Sequence, residues 1–239
     1  MREGRSLSRK LTSYAGALLL LQGLAACSGD NNPQAAASEA PPQSAATTAP
    51  VQDSKLVLAF GDSLYAGYGV RSDESFPAKL EKALVTEGIA AKVVNAGVSG
   101  NTTAAALSRL AFTLEGLERK PDLAMISLGG NDMLRGIDPV ETRANLTKIC
   151  EELKRRGIPI LLTGMIAAPN MGRDYVDRFN AIYVDLAKTY DAALYPFFLD
   201  GVIMDRTLML PDHVHPNPKG IDIIVGKIEP LVAKSLSGS

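Results

Sequence analysis

The chain has 239 residues, of which 46% are apolar and 21% charged, and its formal net charge is −1. That length fits one ordinary domain with a full core plus shorter flanking segments, and a near-neutral balance without a basic block argues against a nucleic-acid binder. With two cysteines and two histidines in all, neither a disulfide framework nor a zinc centre is supported, and no metal or cofactor is expected.

Arg2, Arg5, Arg9 and Lys10 give a basic start, followed by an apolar run over 15–26 that only Gln22 interrupts. The run falls short of the ~20 residues that span a bilayer, so residues 1–26 read as a cleaved export leader. Leu24-Ala25-Ala26-Cys27 resembles the bacterial lipoprotein signal, in which the leader is cut before a cysteine that becomes lipidated. Residues 27–54 are rich in Ala, Pro, Gln, Ser and Thr, with hardly an apolar side chain larger than Val. They cannot bury enough surface to offset ordering and read as a disordered, partly extended tether. Losing the leader removes four basic residues and one acidic, which leaves 21 against 25 and a net charge of −4. The resemblance implies a domain held by a lipid anchor at the periplasmic face, and Ser28 after the cysteine favours the outer membrane.

Residues 55–239 form the remaining domain, where short apolar runs alternate with segments of helical period. In chain order the pattern predicts strands over 56–60, 92–94, 123–128 and 159–165, with a weaker fifth over 192–195. Helices are predicted over 76–87, 102–117, 139–156 and 175–190. Leu80, Leu84 and then Gly88 fit a helix and its stop, and Arg155-Arg156-Gly157 fits a basic last turn with a glycine cap. A last helix over 221–236 contains Pro230, which should bend or break it. Cys150, between Leu146 and Leu153 on a helical stretch, reads as a small core residue. With Cys27 lipidated it has no intramolecular disulfide partner.

Such alternation implies right-handed crossovers and a five-stranded parallel sheet with helices on both faces, a three-layer α/β/α sandwich. The unbroken apolar runs Leu-Ala-Met-Ile-Ser-Leu and Pro-Ile-Leu-Leu-Thr-Gly fit strands buried on both sides. In open parallel sheets ligands bind beyond the carboxyl ends of the strands. Polar motifs stand at those ends: Gly61-Asp62-Ser63-Leu64, then Asn95 to Gly100, then Gly129-Gly130-Asn131-Asp132, and finally Asp212-His213-Val214-His215 before the last helix.

A serine hydroxyl is a weak nucleophile and needs a base within reach. Ser63 is the candidate nucleophile, and His215 the better placed of two histidines, because Asp212 three residues earlier could hold its Nδ1–H; the spacing leaves His213 open as an alternative. Ester hydrolysis also develops an oxyanion, and the Ser63 N–H, the Gly100 N–H and the Asn131 side-chain amide are candidate donors to it.

Together, Gly61-Asp62-Ser63-Leu64, Gly100, Gly130-Asn131-Asp132 and the Asp212/His215 pair resemble the blocks of the SGNH (GDSL-type) hydrolases. The resemblance covers nearly all of the domain and implies a flavodoxin-like sandwich. It implies Ser63 as nucleophile, His215 as base, Asp212 as its orienting acid, and an oxyanion hole of Ser63, Gly100 and Asn131. The runs Gly67-Tyr68-Gly69, Phe179 to Tyr183 and Tyr195-Pro196-Phe197-Phe198 are similar to those of the bacterial acyl-CoA thioesterase/lysophospholipase/arylesterase subgroup. That likeness implies a small-molecule acyl ester or thioester substrate: aryl esters, lysophospholipids or acyl thioesters. Met133, Leu134, Ile137, Met165 and Ile166 are candidates to line an acyl groove. The rival readings are a carbohydrate O-acetylesterase of the same family and a non-catalytic lipoprotein module. Nothing in the pattern assigns an oligomeric state.

Overall fold

The computed structural model describes residues 54–238. The expected leader, Cys27 and the tether up to residue 53 lie outside the described residues.

Among the described residues, five strands form one sheet: β1 (Lys55–Gly61), β2 (Ala91–Gly97), β3 (Leu123–Ser127), β4 (Ile160–Thr163) and β5 (Ala193–Tyr195). All pairings are parallel, in the order β2-β1-β3-β4-β5. Every residue of β3 and β4 is buried, as is β1 from Leu56 onward. The continuous apolar runs of these strands are explained by helices on both faces. β2 and β5, at the edges, are only partly covered.

Among the described residues, seven helices accompany the sheet: α1 (Ser63–Ala66), α2 (Phe76–Thr86), α3 (Thr103–Glu115), α4 (Gly130–Leu134), α5 (Pro139–Arg155), α6 (Arg173–Tyr190) and α7 (Pro218–Ser237). α2 packs on α7 in one layer, while α5 packs on both α3 and α6 in the other. The architecture is the predicted three-layer α/β/α sandwich. Cys150 is fully buried in α5, and burial pushes its thiol up to about 12, with Glu151 adding to the shift.

Three departures from the sequence pattern have a clear physical cause. β2 continues three residues beyond Val94 because Asn95, Ala96 and Gly97 pair in register with Ala59, Phe60 and Gly61 of β1. α7 begins at Pro218, with the Asn217 side chain accepting from the Lys219 and Gly220 N–H groups. It also runs through Pro230 without a break, since Ile224, Ile228, Val232 and Leu236 are buried on both sides of the proline. That apolar face outweighs a lost hydrogen bond and ring clash of roughly 3 kcal/mol.

The order of the strands determines where a ligand can sit. The chain leaves β1 toward β2 on one side and later returns to β3 on the other, so loops diverge at the β1/β3 boundary and open a crevice there. Ser63 follows β1 and Asn131 follows β3.

Candidate active site

β1 ends at Gly61, and Asp62 caps the single turn of α1 by accepting from the Leu64 N–H at 3.1 Å. This turn lifts Ser63 clear of the buried sheet, partly exposed, while Leu64 and Tyr65 behind it stay in the core.

The partner loop, between the third short 3-10 turn (Arg206–Leu208) and α7, is built around Asp212. Asp212 Oδ1 accepts from the N–H groups of Val214 and His215, which bends the chain so that the His215 ring turns back on the same carboxylate. The loop closes through the Leu210 N–H donating to the His215 carbonyl at 2.7 Å and a bridge between Met209 and Pro216. Asp212 Oδ2 lies 2.7 Å from His215 Nδ1, and His215 Nε2 lies 2.8 Å from Ser63 Oγ.

An ionised carboxylate can only accept, so Nδ1 carries the proton toward Asp212 and Nε2 is left to accept from the Ser63 hydroxyl. Partial burial pushes the Asp212 carboxyl up, but donation from the Val214 N–H, the His215 ring and the His215 N–H outweighs it and holds the group down at about 2. His213 is exposed, with its backbone in the left-handed region at φ 58°, and its ring makes no hydrogen bond among the described residues. The geometry therefore joins His215, not His213, to Ser63.

Gly100 and Asn131 line the same cavity as Ser63 and His215. Gly100 sits in a tight turn at φ 79°, a conformation that few other residues adopt without strain, and its carbonyl accepts from Arg135 at 2.8 Å. Asn131 lies in α4, which is fixed by the buried Asp132: that carboxylate accepts from the Thr103 N–H and from the hydroxyls of Thr103 and Thr142. The Asn131 amide donates to Asp62 Oδ2 at 3.3 Å.

The cavity has a volume of about 700 Å³ and is mostly apolar. Met133, Leu134, Met165 and Ile166 line it, as do Phe197, quoted above only as part of a longer run, and Met204, which the sequence pattern did not single out. Ile137 does not reach it. It follows the left-handed Gly136, its N–H donates to the Asp132 carbonyl and its own carbonyl accepts from Tyr175, so it belongs to the turn into α5.

Three further residues support the site: Asp62 and Tyr68, which stand within the quoted motifs, and Arg109, which has no sequence signal. Asp62 is 2% exposed, and burial pushes its carboxyl up to about 6. Arg109 donates to the Gly61 carbonyl and to Asn101 Oδ1, tying the end of β1 to the loop that carries Gly100. Tyr68 lies over the His215 ring.

A serine hydroxyl within hydrogen-bond reach of an imidazole, beside an apolar cavity that a glycine turn and a side-chain amide also line, is an arrangement that can perform acyl transfer. Comparison with known proteins agrees. Residues 59–223 match the GDSL-like lipase/acylhydrolase family. An arylesterase of Vibrio mimicus is 39% identical over 168 residues, which is 70% of this chain and 83% of that protein. The thioesterase 1/protease 1/lysophospholipase L1 of Escherichia coli K12 is 36% identical over 180 residues, 74% of this chain and 84% of that protein. Among solved structures, AlinE4, described as an SGNH-hydrolase family esterase, superposes with a TM-score of 0.66 at 54% identity, covering 77% of this chain and 97% of its own. From the end of β1 into α7, the chain belongs to the GDSL-like lipase/acylhydrolase family.

Proposed function

We propose that this carboxylic ester hydrolase works through a Ser63–His215–Asp212 triad on acyl esters whose acyl chain occupies the apolar cavity. The observation that carries the reading is the pair of contacts that link Asp212 to His215 and His215 to Ser63 at the cavity's edge.

Ser63 Oγ attacks the acyl carbonyl carbon as its proton passes to His215 Nε2, and the carbonyl oxygen takes up the negative charge. The resulting imidazolium is held by the ionised Asp212. The N–H groups of Ser63 and Gly100 and the Asn131 amide are the donors for the oxyanion. Collapse breaks the bond to the alcohol or thiol, which leaves with the Nε2 proton. A water then repeats the sequence on the acyl-serine and restores the enzyme.

The cavity's apolar lining suits an acyl chain of more than two carbons, and the relatives named arylesterase and thioesterase/lysophospholipase support aryl esters, acyl thioesters and lysophospholipids as substrate classes. A panel setting acetylated sugars against short-, medium- and long-chain aryl esters tests this. Highest kcat/KM on a medium or long acyl chain is expected. A preference for acetyl sugars would move the enzyme to carbohydrate deacetylation.

The leader-like residues 1–26, Cys27 and the spacer-like composition of 27–54 support an exported enzyme anchored by lipid at the periplasmic face, with Ser28 favouring the outer membrane.

A further inference from the structure

Tyr68 covers one face of the His215 imidazole. The ring centroids are 4.4 Å apart, with the planes inclined by 34°. Tyr68 is 52% exposed, and its hydroxyl makes no hydrogen bond among the described residues, so the ring itself is the part in use.

The turn that carries it is built for close approach. Gly67 and Gly69 have φ of 81° and 73°. A Cβ on Gly67 would lie 2.7 Å from the Ser75 Cβ, and one on Gly69 would lie 2.6 Å from Leu210 Cδ1. The Tyr68 N–H donates to the Ser63 carbonyl at 3.2 Å, while Leu210, against which Gly69 packs, donates to the His215 carbonyl. Tyr68 is therefore tied to the backbone of the serine on one side and packed against the histidine loop on the other.

We propose that Tyr68 is a positioning residue for His215 and favours its charged form during turnover, an inference that rests on the triad reading above. An aromatic face attracts a cation within about 6 Å of its centroid. His215 is neutral before attack and an imidazolium after it has taken the Ser63 proton. The attraction is thus absent from the ground state and present in the transition state, which raises kcat and leaves binding unchanged. The ring also blocks rotation of the imidazole away from Ser63 Oγ.

Steady-state kinetics on a short-chain aryl ester for Tyr68→Phe, Tyr68→Leu and Tyr68→Met provide the test. Tyr68→Phe keeps the ring and should stay within about twofold of wild type. Tyr68→Leu and Tyr68→Met should lose roughly three- to thirtyfold in kcat with KM little changed. A non-aromatic variant that keeps kcat, or changes KM alone, overturns the proposal and makes Tyr68 a cavity wall. A Phe variant as impaired as Leu also overturns it, since the hydroxyl would then be the active part. His215→Ala in the same assay separates the two readings: if it turns over normally the triad reading fails, whereas an inactive His215→Ala beside a fully active Tyr68→Leu removes only the role given to Tyr68. If Tyr68→Leu does not fold, Tyr68→Met carries the comparison.

Discussion

Asp62 and Asn131 stand 69 positions apart in the chain, yet the carboxylate of one accepts from the amide of the other at 3.3 Å. One N–H of the amide is spent on Asp62, and Asn131 itself lines the cavity. Asp62 is thus a buried acid kept beside the serine for the sake of a neighbour's orientation. Burial pushes its carboxyl from 3.8 up to about 6, against the opposing pull of the Leu64 N–H, the Asn131 amide and the His215 ring.

That shift has a sign that can be measured. A carboxyl with a raised folded-state pKa contributes stability that is complete below 3.8 and is lost as pH rises through about 6. Relative to Asp62→Asn, the wild type should therefore lose on the order of 3 kcal/mol between pH 3.5 and pH 7.5. Denaturant melts of both proteins at several pH values give the difference directly. Parallel curves would mean that Asp62 is ordinary in its titration.

Asn131→Ala should lower kcat by on the order of 10²–10³ with little change in KM, as for a donor that meets charge only in the transition state. A rise in KM alone would make Asn131 a ground-state contact.

Ser63→Ala should remove ester hydrolysis by several powers of ten while leaving the thermal melt nearly intact, because Ser63 is partly exposed and contributes little packing. Wild-type turnover of an aryl ester by this variant would reject Ser63 as nucleophile.

The two histidines should separate. His215→Ala is expected to abolish turnover, and His213→Ala to retain most of it. Since His213 has φ 58°, His213→Gly should in addition keep or slightly raise stability. Loss of activity in His213→Gly with a normal melt would transfer the base role.

Cys27→Ser in cells should yield uncleaved precursor or misdirected protein and no incorporation of labelled palmitate. Recovery of the wild-type protein free in the periplasm, with a new terminus elsewhere, would leave residues 28–54 as a plain linker.

The buried strands were legible because parallel strands covered on both faces must be apolar throughout, and few other elements write five such residues in a row. α1 and α4 were not, since four or five residues carry no helical period; their ends are fixed by Asp62 capping Leu64 and by Asp132 gripping Thr103. Asn95-Ala96-Gly97 has turn composition, and only pairing with β1 makes it strand. The groups at the strand ends could be read as a set because topology sends them to one edge. Contacts across the fold, such as Asp62 with Asn131 or Tyr68 with His215, leave no local trace. Ile137 was misplaced because apolar character alone does not tell a cavity wall from the anchor of a turn.

β1 begins at Lys55 and delivers the chain to Ser63 just beyond its other end, a path of 7 residues and roughly 20 Å. Whatever is joined to the chain ahead of Lys55 is thus attached at the opposite pole of the sheet from the reacting groups. A purification handle, a fused protein or a solid support coupled there should leave the mouth of the cavity open, whereas the same load placed on the loop after Leu210 would sit on the histidine itself.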